Sequence, residues 1–185
     1  MVPLSALLIP IVVSAVIVFV ASSLIHMVTP WHKGDFAKVP NEDQTMDALR
    51  PLKLPPGDYM MPRPASMEDM KTEAYKAKLA KGPRAIMTVL PPFTGMGREL
   101  GLWFVFVLAV SIYSAYLTGA ALPAATPYLK VFQVAGATAF AAYAFAIWPL
   151  AIWYRRSMRM TITATVDALL FALLTAGTFG WRWPK

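Results

Sequence analysis

The sequence contains no cysteine among its 185 residues and only two histidines. Without cysteine the chain can form no disulfide, and it offers no thiolate to zinc, to an iron–sulfur cluster or to a substrate. Charged residues are also scarce, at 15%, whereas hydrophobic residues make up 57%. A soluble domain of this size needs more polar residues to cover its surface, so the composition indicates a membrane protein.

Four long apolar blocks contain almost no Lys, Arg, Asp or Glu. A helix of about 20 residues crosses the bilayer core, so each block is long enough to span it. We therefore predict four transmembrane helices, over residues 1–28, 100–122, 131–154 and 160–179. The first block lacks the basic start and the short apolar core of a signal peptide, which favours a retained helix.

Residues 29–99 form the only long polar stretch and contain ten of the 16 prolines. Proline at this density disfavours long regular elements. Cap residues nevertheless predict two short helices, one near 41–50 that starts at Asn41 and one near 66–82 that starts at Ser66. The predicted fold is an all-α membrane protein, with four transmembrane helices and a proline-rich cytoplasmic loop that carries one or two short helices.

Basic residues near the ends of the blocks predict the orientation. Eight lie on the side of the long loop: Lys33, Lys38, Lys81, Arg84, Arg98, Arg155, Arg156 and Arg159. Three lie on the other side: Lys130, Arg182 and Lys185. The positive-inside rule then places residues 29–99 in the cytoplasm and both termini outside. The net charge of +7 is explained by these flanking residues, which contact lipid headgroups, so we expect no nucleic-acid partner.

Asp167 is the one ionisable residue well inside a predicted span. A charge at that depth has to face the bundle, a water-filled gap or a partner. One interpretation is a structural carboxyl that bonds a Tyr, Ser or Thr, or an arginine of the 155–159 connection. The other is a proton or ion relay. No second acid, lysine or histidine is expected beside Asp167, which favours the structural interpretation.

His26 and His32 lie near the end of the first helix, and Pro30 places His32 beyond it. A pair on one segment does not supply haem ligands on facing sides, and together with Asp35 it matches no strong metal-ligand pattern. No nucleotide-binding or nucleophile motif is present either. We therefore predict no catalytic residue and no metal site, and keep His26 as an alternative ligand for a pigment.

Three stretches of the chain resemble a group of uncharacterised small four-helix bacterial inner-membrane proteins. They are Val20–Met27 at the end of the first helix, Pro40–Asp43, and Met67–Met70. The resemblance extends to the four-block layout and covers most of the chain. It implies a bacterial inner-membrane setting, in which the outer side predicted for both termini by the positive-inside rule is the periplasm. It implies no activity and no functional residue.

The third helix is rich in small residues at four-residue spacing, such as Ala135 and Ala139, which let helices approach closely. With no catalytic motif, this favours a non-catalytic structural or accessory subunit of a larger membrane complex, such as a respiratory or photosynthetic assembly. Other membrane subunits and lipids are the expected partners. The alternatives are a small oligomeric transporter or channel that uses Asp167, and a pigment- or metal-binding membrane protein that uses His26. No cofactor is predicted, with pigment or lipid left open.

Overall fold

The computed structural model describes all residues from Met1 to Lys185, and the chain is mostly helical. Four helical segments are long and apolar enough to cross a membrane, as expected for a multi-pass membrane protein. They are Leu4–Met27, Gly97–Ala121, Tyr128–Tyr154 and Met158–Trp181. The chain divides into two compact units, one formed by 1–37 with 96–185 and the other by 38–95.

Proline sets the local form of two of these segments. The first begins with a 3-10 turn, Leu4–Leu7, and continues as α1, Leu8–Met27. Pro10 falls in the first turn of α1, where its missing N–H costs no helical hydrogen bond, so α1 runs unbroken. In the third segment, a 3-10 turn separates two α-helices just before Pro149. These helices are α5, Tyr128–Ala144, and α6, Trp148–Tyr154.

The four segments pack as a closed bundle in the first unit. Helix α4, Gly97–Ala121, contacts α1 and α5, while α7, Met158–Trp181, contacts α1 and packs most extensively on α5. Buried apolar side chains form two clusters along the interior, one around Val18 and Phe171 and one around Leu7 and Phe179. The outward faces remain apolar and exposed, the pattern of helices whose surroundings are lipid.

Residues 38–95 contain two short helices and a pair of strands that the sequence did not predict. The elements are α2, Glu42–Leu49; β1, Gly57–Met61; α3, Glu73–Lys81; and β2, Ala85–Val89. The strands pair antiparallel, with Gly57 opposite Val89 and Met61 opposite Ala85. Tyr75 is the one buried side chain of this unit, and its hydroxyl donates to the Pro62 carbonyl at 3.3 Å.

The structure has Asn41 at the predicted start of α2, but α3 does not start at Ser66. Asn41 has a left-handed backbone (φ 50°) and makes no side-chain cap bond, so its carbonyl alone starts α2. Ser66 accepts a hydrogen bond from the Asp69 amide, but only a 3-10 turn follows it. Thr72 is the actual cap of α3 and accepts from the Tyr75 amide at 3.2 Å. Several residues in this stretch can cap, and the sequence pattern did not separate them.

Candidate metal centre

The chain folds back on the bundle directly after α1. Pro30 ends the helix, and two consecutive turns follow, closed by bonds from the Lys33 amide to the Pro30 carbonyl and from the Asp35 amide to the His32 carbonyl. This return brings the His32 ring parallel to the His26 ring, with the centroids 4.2 Å apart. His32 is therefore outside the helix, as predicted, and yet it lies against the bundle.

Hydrogen bonds orient both imidazole rings. Nδ1 of His26 lies 2.9 Å from the Ser22 carbonyl oxygen, and Nδ1 of His32 lies 2.6 Å from Oδ2 of Asp35. Carbonyl and carboxylate oxygens only accept hydrogen bonds, so each Nδ1 carries the proton and donates it. In a neutral imidazole this leaves Nε2 with a free lone pair, the tautomer that binds metal ions in proteins.

Asp35 is itself held in place by α7. The Thr163 hydroxyl shares its one proton between the Met160 carbonyl at 3.0 Å and Oδ1 of Asp35 at 3.4 Å, while Oδ2 of Asp35 accepts from His32. The Asp35 side chain is only 9% exposed. A carboxylate that orients a histidine through its distal N–H is the usual second layer around a metal site.

Asp167 projects from α7 into the same place. Its side chain is 5% exposed, and Oδ2 lies 2.9 Å from Nε2 of His32. The pair is close, yet a proton on Nε2 does not point at the oxygen, and Nε2 has no hydrogen-bond partner. Oδ1 of Asp167 is also buried without a partner. Two acceptor atoms at this separation repel each other unless a proton or a metal cation is shared between them.

One potential donor atom from each of His26, His32 and Asp167 lies within 4.8 Å of the other two. A tetrahedral zinc site with bonds of about 2.0–2.1 Å separates its ligand atoms by about 3.3 Å. His32 Nε2 and Asp167 Oδ2, 2.9 Å apart, are already close enough for two ligands of one ion, and the donor atom of His26 lies within 4.8 Å of both. His26 is the exposed member of the three. Two imidazoles and one carboxylate form a set that leaves at least one coordination position open.

The structure thus gives Asp167 a histidine neighbour that the sequence did not lead us to expect. The reason for the error is that Pro30 was taken to carry His32 away from the bundle, whereas the turns after it reverse the chain. His32, Asp35 and Thr163 are the residues that sequence reasoning missed as parts of one cluster. The available signal was the four-residue spacing of Thr163 and Asp167, which places these two polar side chains on one face of the helix.

The three arginines of the third connection lie outside this cluster. Arg155, Arg156 and Arg159 are exposed, and none forms an ion pair. Asp167 therefore does not pair with a snorkelling arginine, which was one of its expected structural partners. Arg159 instead packs over the backbone of Gly34, where a Cβ atom would lie 2.6 Å from the guanidinium carbon.

Hydroxyl groups elsewhere in the bundle serve helix packing. Ser14 of α1 donates to Ser111 of α4 at 3.1 Å, and the Trp103 indole N–H donates to Ser22 at 2.7 Å. The second of these bonds fixes α4 against α1 one turn before His26. These bonds position the end of α1 that carries His26, while the ring of His26 is also stacked on that of His32.

Comparisons of the chain with models of protein families, with curated proteins and with solved structures give no match.

Proposed function

We propose that this multi-pass membrane protein binds a divalent first-row transition-metal ion through His26, His32 and Asp167. The observation that carries the proposal is the 2.9 Å approach of His32 Nε2 to Asp167 Oδ2 without a hydrogen bond between them. A metal ion supplies the positive charge that these two electron-pair donors need. The orienting bonds from Ser22 and Asp35 leave both imidazole Nε2 atoms free to bind it.

The charge of the cluster supports the same proposal. Asp35 and Asp167 place two carboxylates around His32 within a nearly dry environment, and buried charges of one sign are costly unless they are balanced. A dication neutralises both carboxylates when it binds. A protonated His32 neutralises only one of them and still lacks a directed bond to Asp167.

The donor set selects the class of ion. Imidazole nitrogen suits Zn²⁺, Fe²⁺, Cu²⁺ and Ni²⁺, whereas Mg²⁺ and Ca²⁺ prefer sites made of oxygen alone. Catalytic zinc and non-haem iron sites use the same combination of two histidines and one carboxylate, with an open position for water or substrate. A bound ion would supply Lewis acidity at this open position.

The side of the membrane follows from the basic residues. The metal residues lie in the half of the bundle where α1 ends and which the first half of α7 crosses, the half nearer the side with eight flanking basic residues against three. The positive-inside rule makes this the cytoplasmic side, with both termini outside. We propose the bacterial inner membrane as the location, as the resemblance to small bacterial membrane proteins implies.

Zn²⁺ binding by the purified full-length protein in detergent tests the proposal. We expect one Zn²⁺ per chain in competition with a chromophoric chelator, and an X-ray absorption spectrum with nitrogen and oxygen neighbours at about 2.0–2.2 Å. Because the chain has no cysteine, that spectrum must contain no sulfur shell.

Asp167→Asn and His32→Ala are the decisive variants, and each should weaken Zn²⁺ binding by more than about 100-fold, beyond the usual effect of a supporting residue. Asp47→Asn is the matched control, because Asp47 is exposed and pairs only with Arg50. Circular dichroism and elution volume establish that the variants fold. If the folded Asp167→Asn and His32→Ala proteins both bind Zn²⁺ as tightly as the wild type and the control, the site is not the one described.

An accessory role in a larger membrane complex is a second candidate. It is supported by large apolar side chains exposed outside the spans, with Leu90 and Phe93 at 75% and 85% exposure. Surfaces of this kind contact partners or the membrane interface. Mild detergent extraction followed by mass spectrometry should yield a stoichiometric membrane partner, and a chain that purifies alone would argue against this role.

A further inference from the structure

We propose that a pocket beside the metal residues binds the anionic headgroup of a membrane phospholipid. The pocket is lined by Trp31, Arg159, Ile162 and Thr163 and has a volume of about 430 Å³. It is a broad, open groove at the surface and not an enclosed cavity. The pocket lies where the chain leaves α1 and where α7 begins.

Arg159 supplies the charge that recognises a phosphate. No carboxylate lies close enough to pair with it, although Asp35 is on the same returning segment. Its guanidinium is seated over Gly34, where any Cβ atom would collide with it. A guanidinium with free N–H groups binds phosphate oxygens in pairs. Arg159 is thus a positioned cation without an anion.

The N-terminus of helix α7 also favours the binding of an anion in this pocket. Arg159 is the second residue of this 24-residue helix, so the pocket lies at its first turn. Ser157 caps the amide of Met160, while the helix dipole keeps this end electropositive. A phosphate near Arg159 therefore gains from the helix as well as from the side chain.

The other walls indicate a lipid and not a free anion. Trp31 and Ile162 are 43% and 52% exposed, and both line the pocket beside Arg159. Tryptophan at the end of a span is typical of the headgroup level, and Ile162 offers apolar surface to an acyl chain. Free phosphate would leave both apolar walls in water. An amphiphile with a negative headgroup covers the cation and the walls together.

The pocket also adjoins the metal residues through one side chain. Thr163 lines the pocket and donates to Asp35, which orients His32. None of the proposed metal ligands lines the lipid site, so the two proposals can be tested independently.

The test uses full-length protein reconstituted in nanodiscs with equal amounts of phosphatidylglycerol and phosphatidylcholine. After extraction into mild detergent, native mass spectrometry counts the lipids that remain bound. We expect phosphatidylglycerol to be retained about fivefold over phosphatidylcholine, the effect of one arginine near a membrane surface. Arg159→Gln should abolish this preference, and Gly34→Val should reduce it by displacing the guanidinium.

Arg156→Gln is the matched control, because it removes the same charge from the same connection at a residue that does not line the pocket. It should leave the preference unchanged. Equal retention of the two lipids by the wild type, or equal loss in both arginine variants, would overturn the proposal. So would displacement of the lipid by millimolar inorganic phosphate. After chelator treatment the same measurement should give the same lipid preference. This control shows that lipid binding does not depend on a bound metal ion.

Discussion

Asp35 connects the proposed ligand His32 to the Thr163 hydroxyl on α7. Its carboxylate fixes the His32 tautomer and stops the ring from rotating about its side-chain bonds. His26 has no such carboxylate and relies on the Ser22 carbonyl one turn earlier. The two imidazoles are thus oriented by independent groups, one from helix backbone and one from a side chain.

Replacing Asp35 by alanine should weaken Zn²⁺ binding by about 10–100-fold, because His32 loses the acceptor of its Nδ1–H. Chelator competition on the purified variant measures this change. Asp43→Ala, an exposed acid outside the bundle, serves as the control for lost negative charge. An Asp35→Ala protein that binds Zn²⁺ like the wild type would mean that the carboxylate does not support the ligand.

Small residues determine how closely α5 and α7 approach. Ala135 and Ala139 are fully buried, so these small side chains pack within the bundle. A Cβ atom at Gly136 would lie 3.0 Å from the Cβ of Ala176, tighter than ordinary van der Waals contact. Because α7 carries Asp167 and Thr163, the fit of these two helices also determines where the site residues lie.

Gly136→Val should destabilise the bundle by about 1–3 kcal/mol, the usual cost of overpacking a tight interface. Gly101→Val on α4 is the matched control, because it makes the same change where no atom lies within 4 Å. Unfolding of both variants in the same detergent, followed by circular dichroism, gives the difference. Equal stability of the two variants would show that the α5–α7 contact can relax without cost.

The absence of cysteine allows the orientation of the whole molecule to be tested with single introduced thiols. Ser66→Cys reports on residues 38–95, and Ala124→Cys reports on the connection between α4 and α5. In intact cells, a membrane-impermeant maleimide should label Ala124→Cys, whereas Ser66→Cys should react only after permeabilisation. The reason is the excess of basic residues on the side of residue 66.

If Ser66→Cys and not Ala124→Cys were labelled in intact cells, the orientation would be the reverse of the predicted one. The metal residues would then lie on the outer side of the membrane. Labelling of neither thiol before permeabilisation would show that the 124 connection is not exposed outside. The chain without introduced cysteine is the background control for both measurements.

Four helical segments long and apolar enough to cross a membrane could be predicted from the order of residues alone. Apolar length and the exclusion of charge are local properties, readable one segment at a time. The strands Gly57–Met61 and Ala85–Val89 were missed because their pairing joins residues far apart, and proline and glycine between them favoured an irregular loop.

The surroundings of Asp167, in contrast, could be seen only in the folded chain. Residues 32 and 167 are far apart in the chain, and their approach depends on the turns after Pro30 and on the packing of α1 against α7. The spacing of residues along the sequence does not show that two side chains from different segments approach each other in space. Apolar composition defined the four spans, whereas the reversal of the chain after α1 brought two histidines and an aspartate into one cluster.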